Sequence, residues 1–505
     1  MADNYDVIVI GAGNGGLAAA ATTAKAGLKT LVLEKHNLPG GSASSFVRGR
    51  FEFEPSLHEL CGVGNEQNPG EIYNLFKTLD AKVDWRYEYN TFRSIVKGPN
   101  GYDVKLRSGV ENFCEDMEKA VPGCYSSVKA FFDLQKKVDA ALAYIEKKKG
   151  NPNPLVMIFK HADFLRIASH SADDVLNALG VPEKAKQILG TYWGYLGVPM
   201  DIMNCMHYLS MFSGYLKYGA AMPYKRSHEL SLAIEKTILD NGGEIWYNSK
   251  VTGIIFNEDG SVGGVKLGDR EIRAKQVISN TMPDNIYNMA SDKSKIPERS
   301  KKLANARRLG LSVVTIYVGL DCTKEDLGIN DYTVFVMPDG NTRKQWELKK
   351  EDSLYIVNCL NEAIPDSSPK GTSTLFFTAL LLPEDCPKMD AREYKKFKRD
   401  IAEKYISDYE KIQGIDIKSH IEEIEVATPV TFARYLGSPG GTIYGYMTSD
   451  WDNILARIAS SKEDNIIPGI TFAGGHAERG DGYSTSYVTG QMAGNKVIKI
   501  IKGGN

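Results

Sequence analysis

Apolar positions along this chain recur in two rhythms, and the switches between them mark out its elements. Residues 7–10 (VIVI) form a short unbroken apolar run, the pattern of a strand covered on both faces. Residues 14–26 carry small and apolar side chains at helical spacing up to Gly27, and residues 30–33 (TLVL) form a second buried strand. Between the first strand and the helix lies Gly11-Ala12-Gly13-Asn14-Gly15-Gly16. In such a β-α-β unit Gly11 permits a tight turn, Gly13 lets the backbone approach a pyrophosphate, and Gly16 lets helix and strand pack closely. The helix start offers unpaired N–H groups to phosphates. Glu34 ends the second strand about 20 residues beyond the glycines, where a carboxylate can accept ribose hydroxyls. Residues 6–34 therefore predict a dinucleotide-binding unit, extended by a second glycine turn at Gly40-Gly41-Ser42.

The later pattern predicts a short helix over 71–79 and strands over 92–96 and 102–106. Residues 112–180 read mostly as helix, broken where Glu146-Lys147-Lys148-Lys149 meets Gly150 and Asn151-Pro152-Asn153-Pro154. An aromatic and methionine-rich stretch, residues 191–216, suits either a helical core, the lining of an apolar tunnel or a membrane-facing surface. A second αβ unit follows: helix 227–240, strands 244–247 and 251–256, a hairpin at Asp259-Gly260 into 264–267, and strand 276–279. Long strands at 312–320, 354–360 and 374–381 predict a large antiparallel sheet in a separate domain, with an amphipathic helix over 392–413. The chain closes with strand 470–473, the turn Gly474-Gly475 and helix 485–501.

An NAD dehydrogenase ordinarily continues its doubly wound sheet directly after the second strand. Here the next αβ unit is far downstream and a last strand-glycine-helix unit lies at the end, so a cofactor domain built from three separated segments points to FAD. The expected fold class is α/β, α+β overall. It comprises a Rossmann-like FAD domain (1–65, 222–290, 463–505), a substrate domain with an antiparallel sheet (66–111, 291–462) and a helical cap (112–221).

Composition narrows the partners. With 505 residues, 42% hydrophobic, 25% charged and net charge -2, nothing favours nucleic acid. The 7 cysteines form no CxxC pair and the 8 histidines no HExxH spacing, so reduced thiols and no metal site are expected. No signal peptide precedes the first strand and no uncharged apolar run reaches about 18 residues. A cytoplasmic protein is expected, with peripheral contact to a membrane left open.

Six further segments carry a family resemblance: residues 34–42 (EKHNLPGGS), Phe51-Glu52-Phe53-Glu54, Val277-Ile278-Ser279-Asn280, Thr428-Pro429-Val430-Thr431, residues 440–445 (GGTIYG) and residues 468–474 (PGITFAG). Together they resemble, in order and over nearly the whole chain, the phytoene desaturase, carotenoid isomerase and retinol saturase family of flavoproteins. The resemblance implies non-covalent FAD and chemistry at a carbon-carbon double bond of a long apolar isoprenoid, retinoid-like or fatty-acyl molecule. Desaturation or saturation comes first, with redox-neutral isomerisation or hydration, or a non-catalytic prenyl-binding escort, as alternatives. The expected FAD contacts are Gly11, Gly13, Asn14, Gly15, Gly16, Glu34, Lys35, Gly40, Gly41, Ser42, Val251, Gly474 and Gly475. The electron partner is left open.

Three departures from the family pattern supply the candidate catalytic residues. A glycine pair is replaced in Pro223-Tyr224-Lys225-Arg226-Ser227, placing Lys225 and Arg226 where cations could favour an anionic group. The family's aspartate is Glu54, followed by Pro55-Ser56-Leu57-His58. In residues 475–483 (GHAERGDGY) an acid is missing just after the glycine, leaving His476 and Glu478 as proton carriers beside His58.

Overall fold

In a computed structural model the described residues are 3–88, 90–148, 150–349, 352–448, 451–452, 456–457, 467–476 and 482–503. The N-terminal strand Asp3–Ile10 sits inside a seven-stranded sheet. It pairs in parallel with Thr30–Leu33 on one side and with Arg270–Ser279 on the other. Glu244–Trp246 extends the parallel part beyond Thr30–Leu33. Arg270–Ser279 is twice engaged. Its first half pairs antiparallel with Val262–Leu267, and its last residues pair in parallel with Ile470–Phe472. The predicted strand 276–279 is thus the buried end of a longer one, whose first half has only Ile272 buried and carries charges that hide it in the sequence.

Two helices cross over this sheet, Asn14–Lys25 and Tyr483–Lys502. Their contact is backbone against backbone. A Cβ at Gly490 would lie 2.2 Å from the Gly15 carbonyl oxygen, and one at Gly494 would lie 3.0 Å from the carbonyl oxygen of Ala19. Helix Glu71–Thr78 packs Ile72, Leu75 and Phe76 into the same core as Leu17 and Tyr487. This segment, assigned by sequence to the substrate domain, is therefore part of the nucleotide domain.

The second sheet runs in the order Ile421–Ala427, Ser312–Leu320, Ser373–Leu381, Tyr355–Cys359, Thr333–Met337, Asn90–Val96, Tyr102–Arg107. It is antiparallel, as the long apolar strands predict, except that Thr333–Met337 and Asn90–Val96 run parallel. Helix Ala391–Gln413 covers one face with Ala402, Tyr405, Ile406 and Tyr409. The cap covers the other, from Val110–Ala120 and Tyr125–Lys147 through Cys205–Tyr218. Tyr192, Trp193, Tyr208 and Phe212 of the aromatic stretch are fully buried there, with Tyr192 against Phe92 and Phe335 and Phe212 against Phe92. Most of that stretch is helical core, which decides among the readings open in sequence.

The Gly490 contact yields a prediction. Gly490→Ala has no room for its methyl group against Gly15 and should lower stability by about 1–3 kcal/mol, the usual range for overpacking, read by urea unfolding. Unchanged stability would mean the two helices do not meet there.

Candidate functional site

The two glycine turns are laid against each other. Gly40 N–H donates to the Ala12 carbonyl at 2.7 Å, and a Cβ on Gly13 would meet the Asn280 amide nitrogen at 2.7 Å while one on Gly16 would meet the Gly11 carbonyl at 1.9 Å. Helix Asn14–Lys25 begins at Gly13 with no side-chain cap, so its first N–H groups remain available to a ligand. Glu34 is buried and fixed by two backbone donors, Ala12 N–H to Oε2 at 2.7 Å and His36 N–H to Oε1 at 2.8 Å. Gly11, Gly13, Asn14, Gly15, Glu34, Lys35, Gly40, Gly41, Ser42, Val251 and Gly475 all line one cavity, into which the uncapped start of helix Tyr483–Lys502 also opens. Gly16 and Gly474 lie behind that wall and act in packing: Gly16 against the Gly11 carbonyl, Gly474 against the Asn280 side chain. A cradle floored by glycines, with free helix N–H groups and a fixed carboxylate, fits a dinucleotide.

The same cavity, about 2040 Å³, continues past residues 55–62 into an apolar region walled by Tyr195, Met206, Met211, Tyr215, Ile356, Leu380 and Tyr444. Tyr195, Met206, Met211 and Tyr215 are thus the part of the aromatic stretch that lines a ligand space. His58 and Glu59 stand at the junction. His58 Nε2 lies 3.0 Å from Thr378 Oγ1, and burial pushes the imidazole down to about 3, so it is neutral.

Glu59 was not singled out by sequence, although an acid within the apolar Leu57-His58-Glu59-Leu60-Cys61 is an available signal. Its side chain is surrounded by hydroxyls, and no ion pair to it is found among the described residues: the Tyr192 hydroxyl is 3.0 Å from Oε1, Tyr195 is 3.4 Å from the same oxygen, and Thr333 Oγ1 is 3.4 Å from Oε2. Burial and the nearby Glu88 push its pKa up to about 8. Hydrogen-bond counting agrees. The Tyr192 hydroxyl also lies 2.9 Å from the Thr91 carbonyl oxygen, which can only accept. With its one proton given to Thr91, Tyr192 satisfies both contacts when a protonated Glu59 donates to it.

Lys225 and Arg226 do not join this site. Lys225 is exposed, and its N–H donates to Glu229 Oε2 at 2.8 Å. Arg226 is buried, with Nη1 2.9 Å from Glu52 Oε2 and Nη2 donating to the Ser367 carbonyl, so its charge ties two loops together. Neither lines the cavity. The expectation of cations beside a substrate is corrected on that ground. Glu478 and the side chain of His476 lie outside the described residues. Sequence also missed Asn280, whose N–H donates to the Ile10 carbonyl at 2.9 Å and whose side chain separates the glycine loop from Gly474. Among the described residues one cluster could hold a metal, Asp321, Cys322 and His420, away from the cavity.

This arrangement defines a nucleotide-binding fold joined to a second sheet and its helical cap, and comparisons with known proteins place it more narrowly. A family profile described as an NAD(P)-binding Rossmann-like domain matches residues 9–79. The chain is similar to all-trans-retinol 13,14-reductase of Danio rerio, 27% identical over 478 residues, covering 88% of this chain and 78% of that protein. It is also similar to the chloroplastic prolycopene isomerase of Daucus carota, 25% identical over 504 residues, covering 98% of this chain and 80% of the other. Among solved structures a putrescine oxidase variant superposes with a TM-score of 0.63 at 17% identity, over 98% of this chain and 99% of that one. The resemblance read from the sequence motifs is thus found across most of the chain.

The protonation of Glu59 can be tested through stability. In the unfolded chain its carboxyl ionises above about 4.5, whereas the native one keeps its proton to about 8. Native protein then binds more protons in that window, so its contribution is full at the acid end and lost as pH rises. Glu88, pushed up to about 7 by burial, acts in the same sense. Glu59→Gln should lose less stability between about pH 5 and 8 than the wild type does, measured by urea unfolding at each pH. Parallel curves would contradict a neutral Glu59.

Proposed function

We propose that the chain is an FAD-dependent oxidoreductase that removes or adds hydrogen across a carbon-carbon bond of a long apolar isoprenoid, retinoid-like or fatty-acyl molecule. One observation carries this reading: a single cavity runs from the glycine cradle to an apolar chamber, with neutral His58 and Glu59 where the two meet. The similarity to a retinol reductase supports it.

FAD, when bound, supplies the hydride acceptor or donor for such a reaction. Gly13, Asn14 and Gly15 would hold its pyrophosphate and Glu34 its ribose. The rest falls to the chain. The apolar wall excludes water and aligns the ligand. Glu59 holds a proton on its carboxyl at the junction, where it can be given to carbon during saturation or be received back after desaturation. Tyr192 and Thr333 orient that carboxyl. A second reading, redox-neutral double-bond isomerisation, draws on the similarity to prolycopene isomerase.

Anaerobic mixing of the flavin-loaded protein with all-trans-retinol, prolycopene and long-chain fatty acids, followed by flavin absorbance and product mass, separates the readings. Net redox changes the flavin band and shifts product mass by two hydrogens. Isomerisation leaves the mass unchanged. With an accepted ligand, Glu59→Gln should slow turnover by about 10²–10⁴ without loss of flavin. No flavin bound after loading with FAD would overturn both readings.

A further inference from the structure

We propose that helix Pro154–Lys160 and its surroundings form a face that docks on an anionic lipid bilayer, at the cap end of the cavity. Leu155, Ile158 and Phe159 stand on this helix with 63%, 54% and 80% of their surface exposed. Leu165 of the next helix and Leu142 of the preceding one are also exposed. Elsewhere among the described residues such side chains come at most in pairs on one helix, as Leu232 with Leu239 and Val430 with Tyr435, whereas Pro154–Lys160 alone carries three. Ordinary soluble surfaces scatter such side chains singly, and a cluster marks an interaction site.

The helix is held firmly behind its exposed face. Asn153 Oδ1 accepts from Leu155 N–H at 2.9 Å, Met157 is buried in the cap core, and His161 stacks on Tyr144 with ring centroids 5.2 Å apart. A rigidly supported apolar ridge inserts into a surface without first losing its own order.

Charge decides for lipid over another apolar surface. Lys147, Lys148, Lys160 and Arg166 are all exposed around the ridge, against Glu146 and Asp163, so basic groups are in excess. Apolar tips ringed by lysine and arginine match the headgroup boundary of an anionic bilayer. No helix among the described residues is long and apolar enough to cross a membrane, so the contact is peripheral.

The face is also continuous with the ligand space. Leu142 and Glu146, near Tyr144 on the same helix, line the cavity, as do His207 and Ser210 of the neighbouring helix. A ligand dissolved in the bilayer could enter there without crossing water. That last step alone rests on the proposed function, whereas docking itself does not.

Flotation of the FAD-loaded protein with vesicles of phosphatidylcholine and phosphatidylglycerol tests docking directly. Wild type should float, and Leu155→Ser, Ile158→Ser and Phe159→Ser combined should reduce the bound fraction at least about tenfold, with flavin content and solution size unchanged. Phe159→Trp should show a blue shift of its emission on adding vesicles. Wild type that stays with the soluble fraction, or a triple variant that floats equally, overturns the proposal. So does a triple variant that turns a dimer into a monomer without any vesicle binding, since the ridge would then be an interface between copies. Docking without turnover of any apolar ligand would overturn the functional reading and leave the membrane face standing.

Discussion

The site depends on one buried carboxylate, Glu54. It accepts hydrogen bonds from Ser227 N–H and Ser227 Oγ, both at 2.8 Å, from Leu57 N–H at 2.9 Å and from Ser56 N–H at 3.2 Å. Two of these donors open helix Arg226–Asp240 of the nucleotide domain. The other two begin the loop that carries His58 and Glu59. A single side chain therefore sets the position of His58 and Glu59 relative to the glycine cradle. Without it, four donors would be left short of partners in a dry setting, each costing about 1–3 kcal/mol if unsatisfied. The Glu54 carboxylate reaches across to Ser227, and that position is structural.

Around this knot the polarity of the cavity is graded. At the cofactor end the chain offers backbone N–H groups and Glu34. Beyond residues 55–62 the two ionisable groups at the junction, His58 and Glu59, are both held neutral by burial. The wall of the same cavity also carries Lys35, Arg48, Lys250, Lys398 and Arg434, of which Arg48 and Lys398 are paired with Glu425, whereas Arg226 is engaged away from it with Glu52 and Ser367. A carboxyl kept protonated at the junction brings no charge into apolar surroundings.

The sequence made the local units legible where a single rhythm governs them. The first βαβ unit, the strands near 312–320 and 374–381 and the helix near 391–413 show their burial directly in composition. Elements whose identity depends on partners were obscured. Ile421–Ala427 is a charged edge strand, and Arg270–Ser279 changes partner and burial halfway along. The cofactor cradle was legible because glycines mark close approach. Glu59 was not, because its importance comes from Tyr192, Thr91 and Thr333, which are brought to it by distant elements. The same distance explains why Lys225 and Arg226 misled: two cations standing in place of a glycine pair look available to a ligand until the fold leaves Lys225 on the surface and ties Arg226 to Glu52 and Ser367.

The central claim is that one continuous cavity places a flavin dinucleotide beside an apolar chamber. The flavin content of purified protein after loading with FAD and gel filtration, compared with that of Gly13→Val, tests it most directly. Stoichiometric FAD on the wild type, released intact by denaturation and absent from the variant, is the predicted result. A folded wild type that retains no flavin, or a variant that retains as much, would contradict the account.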